Sequence, residues 1–322
     1  MSVQERILVY GDIHLCSKNY GLHRDYSKES LNYFKNITKT AEEVGATMII
    51  GLGDFSYGRF KHLEYRSEVE KELKKQMQLC NGKRYELKGN HDSATYGMTE
   101  YEFYESNGSL LGSRNISIGN LRLSMIDSGK YDKTDILPTN EIGTTNIVLM
   151  HDFFKFKDTY MADYGSAIIL DEFTKWYGVD YIIGGHVHDM NAFEGSISNG
   201  VDSHKTAVMY LGCPCRPSYR EGYMQDKGYY AIITVEDDNS VSFDIHSFDL
   251  LSLEESFNLE GKAEAVELQE KKRLDVTDIV EKLDGHKRVM GEPEDVIMSM
   301  SHIDIKYREK AIELLKVGQD RK

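Results

Sequence analysis

The sequence has little of several features that mark whole classes of protein. It contains 4 Pro and 4 Cys among 322 residues, which excludes long proline-rich linkers and a dense disulfide framework. Its apolar runs, such as 146–150 and 179–183, are far shorter than the ~20 residues that a membrane helix needs. The opening MSVQERILVYGD shows no basic region followed by a longer apolar stretch, so we expect no signal peptide. We therefore expect a cytoplasmic protein that does not enter a membrane.

Basic residues are also scarce relative to acidic ones. The chain carries 39 Lys and Arg against 53 Asp and Glu, a net charge of −14 at pH 7. A protein that binds nucleic acid over its whole surface normally has the opposite sign, because its cations replace the phosphate counterions. This excludes a histone-like DNA binder and leaves a local basic groove open. The 40% of apolar residues suffices for a core and excludes global disorder.

The four cysteines are too scattered for a disulfide framework or a pair of zinc knuckles. They are Cys16, Cys80, Cys213 and Cys215. The closely spaced Cys213 and Cys215 could form a soft-metal or redox pair. Reduced, buried thiols are the favoured interpretation for a cytosolic protein.

Hydrophobic periodicity predicts an α/β protein with two sheets packed face to face and helices outside. The first half alternates predicted strands at 6–10, 47–52 and 84–88 with helices at 27–45 and 64–79, which favours a largely parallel sheet. The second half is mostly strands, with one predicted helix at about 166–177. Those strands are expected at 121–126, 146–150, 179–183, 207–211, 229–235 and 241–248.

The sequence after residue 251 is charged and favours helices. We expect these at 261–273, 276–283, 293–300 and 303–317. The predicted organisation is a core at 1–195, the remaining core strands or a capping segment at 196–251, and a helical region at 252–322.

Polar turns follow five of the strands. The turns are Gly11-Asp12-Ile13-His14, Gly53-Asp54, Gly89-Asn90-His91-Asp92, Met150-His151-Asp152 and Gly184-Gly185-His186-Val187-His188. A single Asp-x-His or Gly-Asp is common by chance, but five in order after apolar strands are not. Ligand sites form at the carboxyl ends of such strands. Asp, Asn and His without Cys suit manganese, iron or zinc, and a shared Asp would hold two cations ~3.5–4 Å apart.

These turns resemble the pattern of the calcineurin-like metallophosphoesterase superfamily over residues 6 to 190. The resemblance implies a four-layer α-β-β-α sandwich and hydrolysis by a hydroxide that two divalent cations activate. It implies seven metal ligands, with Asp54 shared between the cations: Asp12, His14, Asp54 and His188 for one, and Asp54, Asn90, His151 and His186 for the other. It implies that His91 faces the scissile phosphate, where it stabilises the transition state or protonates the leaving group.

The segment after the last of these histidines resembles the SbcD-type DNA repair nucleases. It runs from Tyr210 through Gly212-Cys213-Pro214 to Glu221 and continues at Asp226-Lys227-Gly228-Tyr229, with Cys213 where that family usually has Ser. The resemblance implies a bacterial or phage protein, in the bacterial or infected-host cytoplasm, that acts in DNA repair or recombination. It also implies a manganese-dependent double-strand exonuclease, or a single-strand endonuclease. Magnesium, iron(II) and zinc remain alternatives to manganese.

The same resemblance implies two kinds of protein partner. One is a coiled-coil ATPase of the SMC type, bound by the tail helices, and the other is a second copy of the chain. The 303–317 stretch carries apolar residues among charges and suits a docking helix. Packing on its own core is the equal alternative for that stretch. Helices such as 99–106 are candidates for the dimer surface.

Candidate substrate contacts are few. Tyr57 occupies the place near the active site where the nucleases usually have another His or Asp, which leaves exonuclease or endonuclease preference open. Arg59, Arg216 and Arg220 could contact DNA, in a groove also lined by Lys61, Lys155 and Lys157.

Two alternatives to a DNA nuclease remain from the sequence. One is a phosphomonoesterase or cyclic-nucleotide phosphodiesterase of the same superfamily, because the metal site alone does not choose a substrate. The other is a catalytically silent scaffold, which the complete ligand set and His91 disfavour.

Overall fold

The computed structural model describes residues 3–18, 22–93, 97–133, 143–159, 167–217 and 226–258. All of them lie in one compact unit, Met1–Asn258. The helices expected between 261 and 317, including the 303–317 docking helix, lie outside the described residues. Within the described ranges, no helix is both long and apolar enough to cross a membrane.

The first of two large sheets has five strands and mixes parallel and antiparallel pairs. Its order is β13-β12-β1-β2-β3, with β1 to β3 parallel and the β1–β12 and β12–β13 pairs antiparallel. The strands are β1 (Val3–Tyr10), β2 (Met48–Gly51), β3 (Arg84–Glu86), β12 (Lys227–Glu236) and β13 (Val241–Asp249).

The second large sheet has six strands in the order β10-β11-β9-β6-β5-β4. Its four central strands are parallel, and an antiparallel strand flanks them on each side. The strands are β4 (Asn115–Ile118), β5 (Leu121–Ile126), β6 (Thr145–His151), β9 (Tyr181–Gly185), β10 (Asn191–Ser198) and β11 (Ser203–Tyr210). A separate two-stranded sheet pairs β7 (Phe154–Lys155) with β8 (Ile168–Ile169).

The two large sheets pack face to face through aliphatic side chains, as the strand pattern predicts. Ile7 and Ile50 of the first sheet share a core with Leu123 and Leu149 of the second. Neighbouring side chains on a strand point to opposite faces, so Leu8 and Ile49 pack instead under the helices. This arrangement confirms the predicted α/β sandwich.

The helices on the first sheet are α1 (Tyr26–Val44), α2 (Leu63–Leu79) and α3 (Glu100–Ser106), and a short α4 (Leu253–Ser256) follows β13. Helix α1 begins at Asp25, whose carboxylate accepts a hydrogen bond from the Lys28 N–H at 3.1 Å. It ends at Gly45, which has a φ of 65° and closes the helix in the left-handed conformation.

The outer face of the second sheet differs from the sequence prediction. No α-helix forms in the described part of 166–177. Residues 168–176 instead contain β8 and two short 3-10 helices, Leu170–Glu172 and Thr174–Trp176. Leu170 and Trp176 are fully buried, while Asp171 and Glu172 are exposed. The β-branched Ile168 and Ile169 pair with β7, and this pairing replaces the predicted helical turn.

Candidate metal centre

The candidate centre lies where strands of both sheets end. Asp12 follows β1, Asp54 follows β2, and Asn90 and His91 follow β3. In the second sheet, His151 is the last residue of β6, and His186 and His188 follow β9. Parallel strands therefore bring residues from across the sequence to one edge of the sandwich.

The backbone at three of these positions is in the left-handed region that non-glycine residues rarely adopt. The φ angles are 48° at His14, 48° at Asp54 and 78° at His186. Such a conformation costs about 1–3 kcal/mol and persists where surrounding contacts enforce it. Those contacts include a hydrogen bond from the His14 N–H to the Asp54 carbonyl at 2.9 Å. The strain is therefore concentrated at the residues whose side chains converge.

One group of four side chains could hold a cation. Asp12, His14, Asp54 and His188 each place a ligand atom within 4.8 Å of the others. The Nε2 atoms of His14 and His188 are 3.0 Å apart, and His14 Nε2 is 3.6 Å from Asp54 Oδ2. Asp12, His14 and Asp54 are at most 2% exposed.

A second group meets at the amide oxygen of Asn90. That Oδ1 is 3.0 Å from His151 Nε2 and 3.0 Å from His186 Nδ1. Asp54 Oδ1 is 3.4 Å from His151 Nε2. The two oxygens of Asp54 thus face the two groups separately, which is the position of a ligand shared between two cations. The structure brings all seven predicted ligands together.

A bound cation would satisfy the polar atoms of this centre better than their contacts with one another do. The His151 Nδ1 lies 2.8 Å from the Leu52 carbonyl, which fixes the proton on that nitrogen. In the neutral imidazole the Nε2 lone pair then faces two acceptor oxygens. In the described part of the chain, the buried Asp12 Oδ1 also lacks a hydrogen-bond donor. A divalent cation on each side of Asp54 would satisfy these atoms, and oxygen and nitrogen donors suit manganese, magnesium, iron(II) or zinc.

Burial and charge shift the pKa values of the same side chains. Burial opposes protonation of His151, but the Asp54 and Asp12 carboxylates raise its pKa to about 10. Burial would raise the pKa of Asp54, yet the charge and hydrogen bond of His151 hold it well below its ordinary range. Burial, with a smaller contribution from Asp54, raises the pKa of Asp12 to about 7. His151 is therefore a cation when no metal neutralises the two carboxylates.

Asp92 connects the turns after β2 and β3. Its Oδ2 accepts hydrogen bonds from the N–H groups of Phe55 and Gly89, both at 3.0 Å, and its Oδ1 accepts from Ser56 at 3.1 Å. The carboxylate is fully buried. The sequence marks Asp92 only as a motif residue, and its role as the clamp between two turns is visible only in the structure.

A buried hydrogen-bond network lies below these turns, and the sequence does not predict it. Glu86 Oε2 accepts hydrogen bonds from Arg84 Nη2 at 2.6 Å and from the Tyr10 hydroxyl at 2.8 Å, and Glu86 Oε1 accepts from the Gly53 N–H at 3.3 Å. Arg84, Glu86 and Tyr10 are all 0% exposed. A Cβ atom at Gly51 would lie 2.1 Å from Glu86 Oε1, so glycine leaves room for the carboxylate. Glu86 thereby joins the strand before Asp12 to the turn before Asp54.

His91 lies at the mouth of the centre. Its backbone N–H donates to Asp54 Oδ1 at 2.8 Å. The imidazole is exposed, and its ring centroid is 5.3 Å from that of His14 and 5.2 Å from that of Tyr57. The structure thus places His91 and Tyr57 beside the predicted ligands.

The structure places Arg59 and Arg216, two of the arginines predicted to contact DNA, in different environments. The exposed Arg59 guanidinium packs against Gly97 and, with Arg66 and α3 residues, lines a cavity of about 290 Å³. Arg216 is only 2% exposed, its Nη2 lies 3.9 Å from an Asp226 carboxylate oxygen, and its carbonyl is 2.7 Å from His23 Nε2. Burial of Arg216 contradicts its predicted place in an open groove. Arg220 lies outside the described residues.

The Cys213 and Cys215 thiols pack beneath the centre. Their sulfurs are 3.5 Å apart, both residues are fully buried, and all four cysteines are free, as predicted. The Cys213 thiol donates to the Asp12 carbonyl at 2.6 Å, and the Cys215 thiol donates to the Ile13 carbonyl at 3.3 Å. Both thiols therefore support the Asp12 turn through hydrogen bonds.

Comparison with known families identifies the centre. A family model described as calcineurin-like phosphoesterase matches residues 5–190, more than half of the chain. The chain belongs to this family. Calcineurin-like phosphoesterases are metal-dependent hydrolases of phosphoesters that use two divalent cations, which agrees with the two groups around Asp54.

Two further comparisons complete this result. No curated protein matches the chain. Among solved structures, a dimetal phosphatase from Danio rerio is similar, with 12% sequence identity and a TM-score of 0.44, over 77% of this chain and 99% of that chain.

Proposed function

We propose that this calcineurin-like phosphoesterase is a manganese-dependent DNA nuclease. The observation that carries the proposal is the uneven burial of the centre. Asp12, His14, Asp54 and His151 are buried, while Asn90 and His91 are exposed and His186 is half-buried. An internal phosphodiester continues on both sides of its phosphorus, so a centre that is open along one side suits a polymer.

The metals and His91 divide the chemistry between them. When bound, two divalent cations would neutralise charge on the phosphoryl oxygens and favour deprotonation of the attacking water. The exposed imidazole of His91 would donate a proton to the leaving oxygen. Its backbone hydrogen bond to Asp54 fixes His91 relative to the shared ligand. The leaving nucleotide is thus protonated at the face where substrate enters.

The remaining side chains orient the ligands. The Leu52 carbonyl holds the proton of His151 on Nδ1, so Nε2 is directed toward Asn90 and Asp54. The His186 N–H donates to Asp12 Oδ2 at 2.7 Å, which joins the β1 turn to the β9 turn. These hydrogen bonds join groups of the protein itself, so they hold the ligand side chains in position for the cations.

The specificity for DNA rests on the sequence between residues 210 and 229. That segment resembles the SbcD-type nucleases, and its described part supports Asp12 through Cys213. The net charge of −14 opposes DNA binding at long range. Two bound divalent cations would add positive charge at the mouth, and a basic partner would supply the rest. We propose the SMC-like ATPase for this role. The resemblance to the SbcD-type nucleases also leads us to include a second copy of the chain and a cytoplasmic location in this proposal.

Degradation of linear double-stranded DNA tests the proposed function. The purified full chain is incubated with Mn²⁺, alone and with the coiled-coil ATPase, and compared with Asp54→Asn, which removes the shared carboxylate. We expect wild type to shorten the DNA and Asp54→Asn to leave it intact, which also excludes a contaminating nuclease. The proposal is wrong if wild type with its ATPase leaves DNA intact but releases phosphate from monoesters.

Partner binding is tested separately by truncation. Phe257 is fully buried and contacts the His23 ring, with centroids 4.5 Å apart, so the compact unit includes the residues up to Asn258. A chain that ends at Asn258 should keep its metals but no longer co-purify with the ATPase. Undiminished co-purification of the truncated chain contradicts the proposed role of the tail.

A further inference from the structure

The backbone of Tyr57 is fixed at the mouth of the metal centre. Its N–H donates to the Leu15 carbonyl at 2.9 Å, and Ser56 forms a parallel bridge with Leu15. The Ser56 N–H also donates to the buried Asp92 carboxylate. Tyr57 is thereby held by the same contacts that position the turns after β1, β2 and β3.

The side chain of Tyr57 differs from the neighbouring aromatic residues in its exposure. Phe55 is 0% exposed and Phe60 is 6% exposed, whereas Tyr57 is 44% exposed. Gly58 follows with a φ of 77°, and a Cβ there would meet no atom within 4 Å, so the chain turns on an open surface. Part of the Tyr57 side chain is thus exposed where a ligand could contact it.

The ring also lies close to the residues that act on phosphate. Its centroid is 5.2 Å from that of His91, with an angle of 38° between the planes, and 6.2 Å from that of His14. A planar group that stacks on Tyr57 would therefore be attached to a phosphate at the metal centre or to its immediate neighbour.

We infer that Tyr57 is a specificity-determining residue that stacks a nucleobase beside the scissile phosphate. This inference rests on the proposed function, and it narrows the substrate class to phosphodiesters that carry a base at this position. Every base has a π-face, so stacking selects nucleotides over other phosphodiesters without selecting a sequence. A tyrosine with a fixed backbone loses little conformational entropy when it binds a flat group.

Two chromogenic diesters with the same leaving group test this role. Thymidine 5′-(4-nitrophenyl phosphate) carries a base, and methyl 4-nitrophenyl phosphate does not. The ratio of their kcat/KM values is measured with Mn²⁺ for wild type, Tyr57→Phe, Tyr57→Leu and Tyr57→Ala. Tyr57→Leu keeps an apolar side chain but has no π-face. It therefore tests the loss of stacking even if the alanine variant misfolds. His246→Ala is the control, because this exposed ring on β13 stacks on Tyr230 and belongs to neither group of side chains around Asp54.

We expect wild type to prefer the thymidine ester by about 5- to 150-fold, the range that stacking of one base provides. Tyr57→Phe and His246→Ala should keep this ratio. Tyr57→Leu and Tyr57→Ala should bring it close to one, mainly through a higher KM for the thymidine ester. The inference is overturned if the leucine and alanine variants keep the ratio, or if phenylalanine loses it, since the hydroxyl would then carry the preference.

If the proposed nuclease function itself is wrong, the nitrophenyl ester assays give a different result. Wild type would then hydrolyse 4-nitrophenyl phosphate, a monoester, and neither diester. If wild type hydrolyses both diesters and the ratio of their kcat/KM values is unchanged in the Tyr57 variants, only the role of Tyr57 is overturned.

Discussion

His14 Nε2 and His188 Nε2 lie 3.0 Å apart in the buried part of the metal centre. They come from the turns after β1 and β9, at opposite ends of the matched family region. Asp54 Oδ2 lies 3.6 Å from His14 Nε2, and Asp12 Oδ2 lies 3.8 Å from His188 Nε2. Two nitrogens that share the same space between carboxylates are best satisfied by one cation that accepts both lone pairs.

The stability of the metal-free protein should fall as the pH rises. The pKa of His151 is raised from 6.5 to about 10 in the folded state, because the Asp54 and Asp12 carboxylates outweigh the effect of burial. A raised pKa of this kind contributes stability that is complete below pH 6.5 and is lost as the pH approaches 10. Urea unfolding in EDTA should therefore show a decreasing free energy of unfolding across this window.

Mn²⁺ should remove that pH dependence, because a bound cation replaces the proton of His151 between the carboxylates. The matched experiment repeats the urea titrations with saturating Mn²⁺. If the free energy of unfolding changes equally with pH in EDTA and in Mn²⁺, His151 does not carry the proton in the metal-free protein.

His91→Ala should lower kcat without removing the metals. The substitution deletes the proposed proton donor but keeps the backbone N–H that binds Asp54. Loss of a general acid typically costs 10²–10⁴-fold in rate. Metal content by mass spectrometry should equal that of wild type, and His246→Ala should behave as wild type in both assays. A His91→Ala enzyme with normal kcat would remove His91 from the mechanism.

Asp92→Ala should destabilise the turns after β2 and β3. It leaves the N–H groups of Phe55, Ser56 and Gly89 buried without their acceptor. Each such loss costs about 1–3 kcal/mol, so we expect at least about 3 kcal/mol in the free energy of unfolding. Asp244→Ala, at an exposed position of β13, is the control. A change of less than about 1 kcal/mol for Asp92→Ala would show that water replaces the carboxylate.

Glu86→Gln should be more harmful than removal of the whole ion pair. The single substitution leaves the Arg84 guanidinium charged and fully buried, which costs about 3–5 kcal/mol. The double variant Arg84→Met, Glu86→Gln removes both charges and should recover a large part of that loss. Urea unfolding of the three proteins measures the difference. A double variant that is no more stable than Glu86→Gln would contradict a direct interaction between the two charges.

The sequence predicts the strands and the ligand turns well because both signals are local. Val9 is buried three residues before Asp12, and Ile50 is buried four residues before Asp54, so an apolar run followed by Gly-Asp marks both strand and site. The sequence does not predict the network around Arg84 and Glu86. A charged residue on a strand is expected to face water, and only the packed sheets show that both side chains point inward.

The two sequence predictions that the structure contradicts fail for the same physical reason. The helix expected at 166–177 is replaced because pairing of Ile168 with Phe154, distant in sequence, outweighs local helical periodicity. Arg216 is expected in a groove because arginine normally lies at the surface, yet it is only 2% exposed and its carbonyl lies 2.7 Å from Nε2 of His23, near the other end of the compact unit. In both cases a contact between distant segments determines the outcome, and one sequence alone does not reveal that contact.

Anomalous X-ray diffraction from crystals of the full chain grown with Mn²⁺ tests the central claim most directly. Two anomalous peaks are expected ~3.5–4 Å apart with Asp54 between them. One should contact Asp12, His14 and His188, and the other Asn90, His151 and His186. A single peak, or peaks that do not share Asp54, would contradict the two-metal centre.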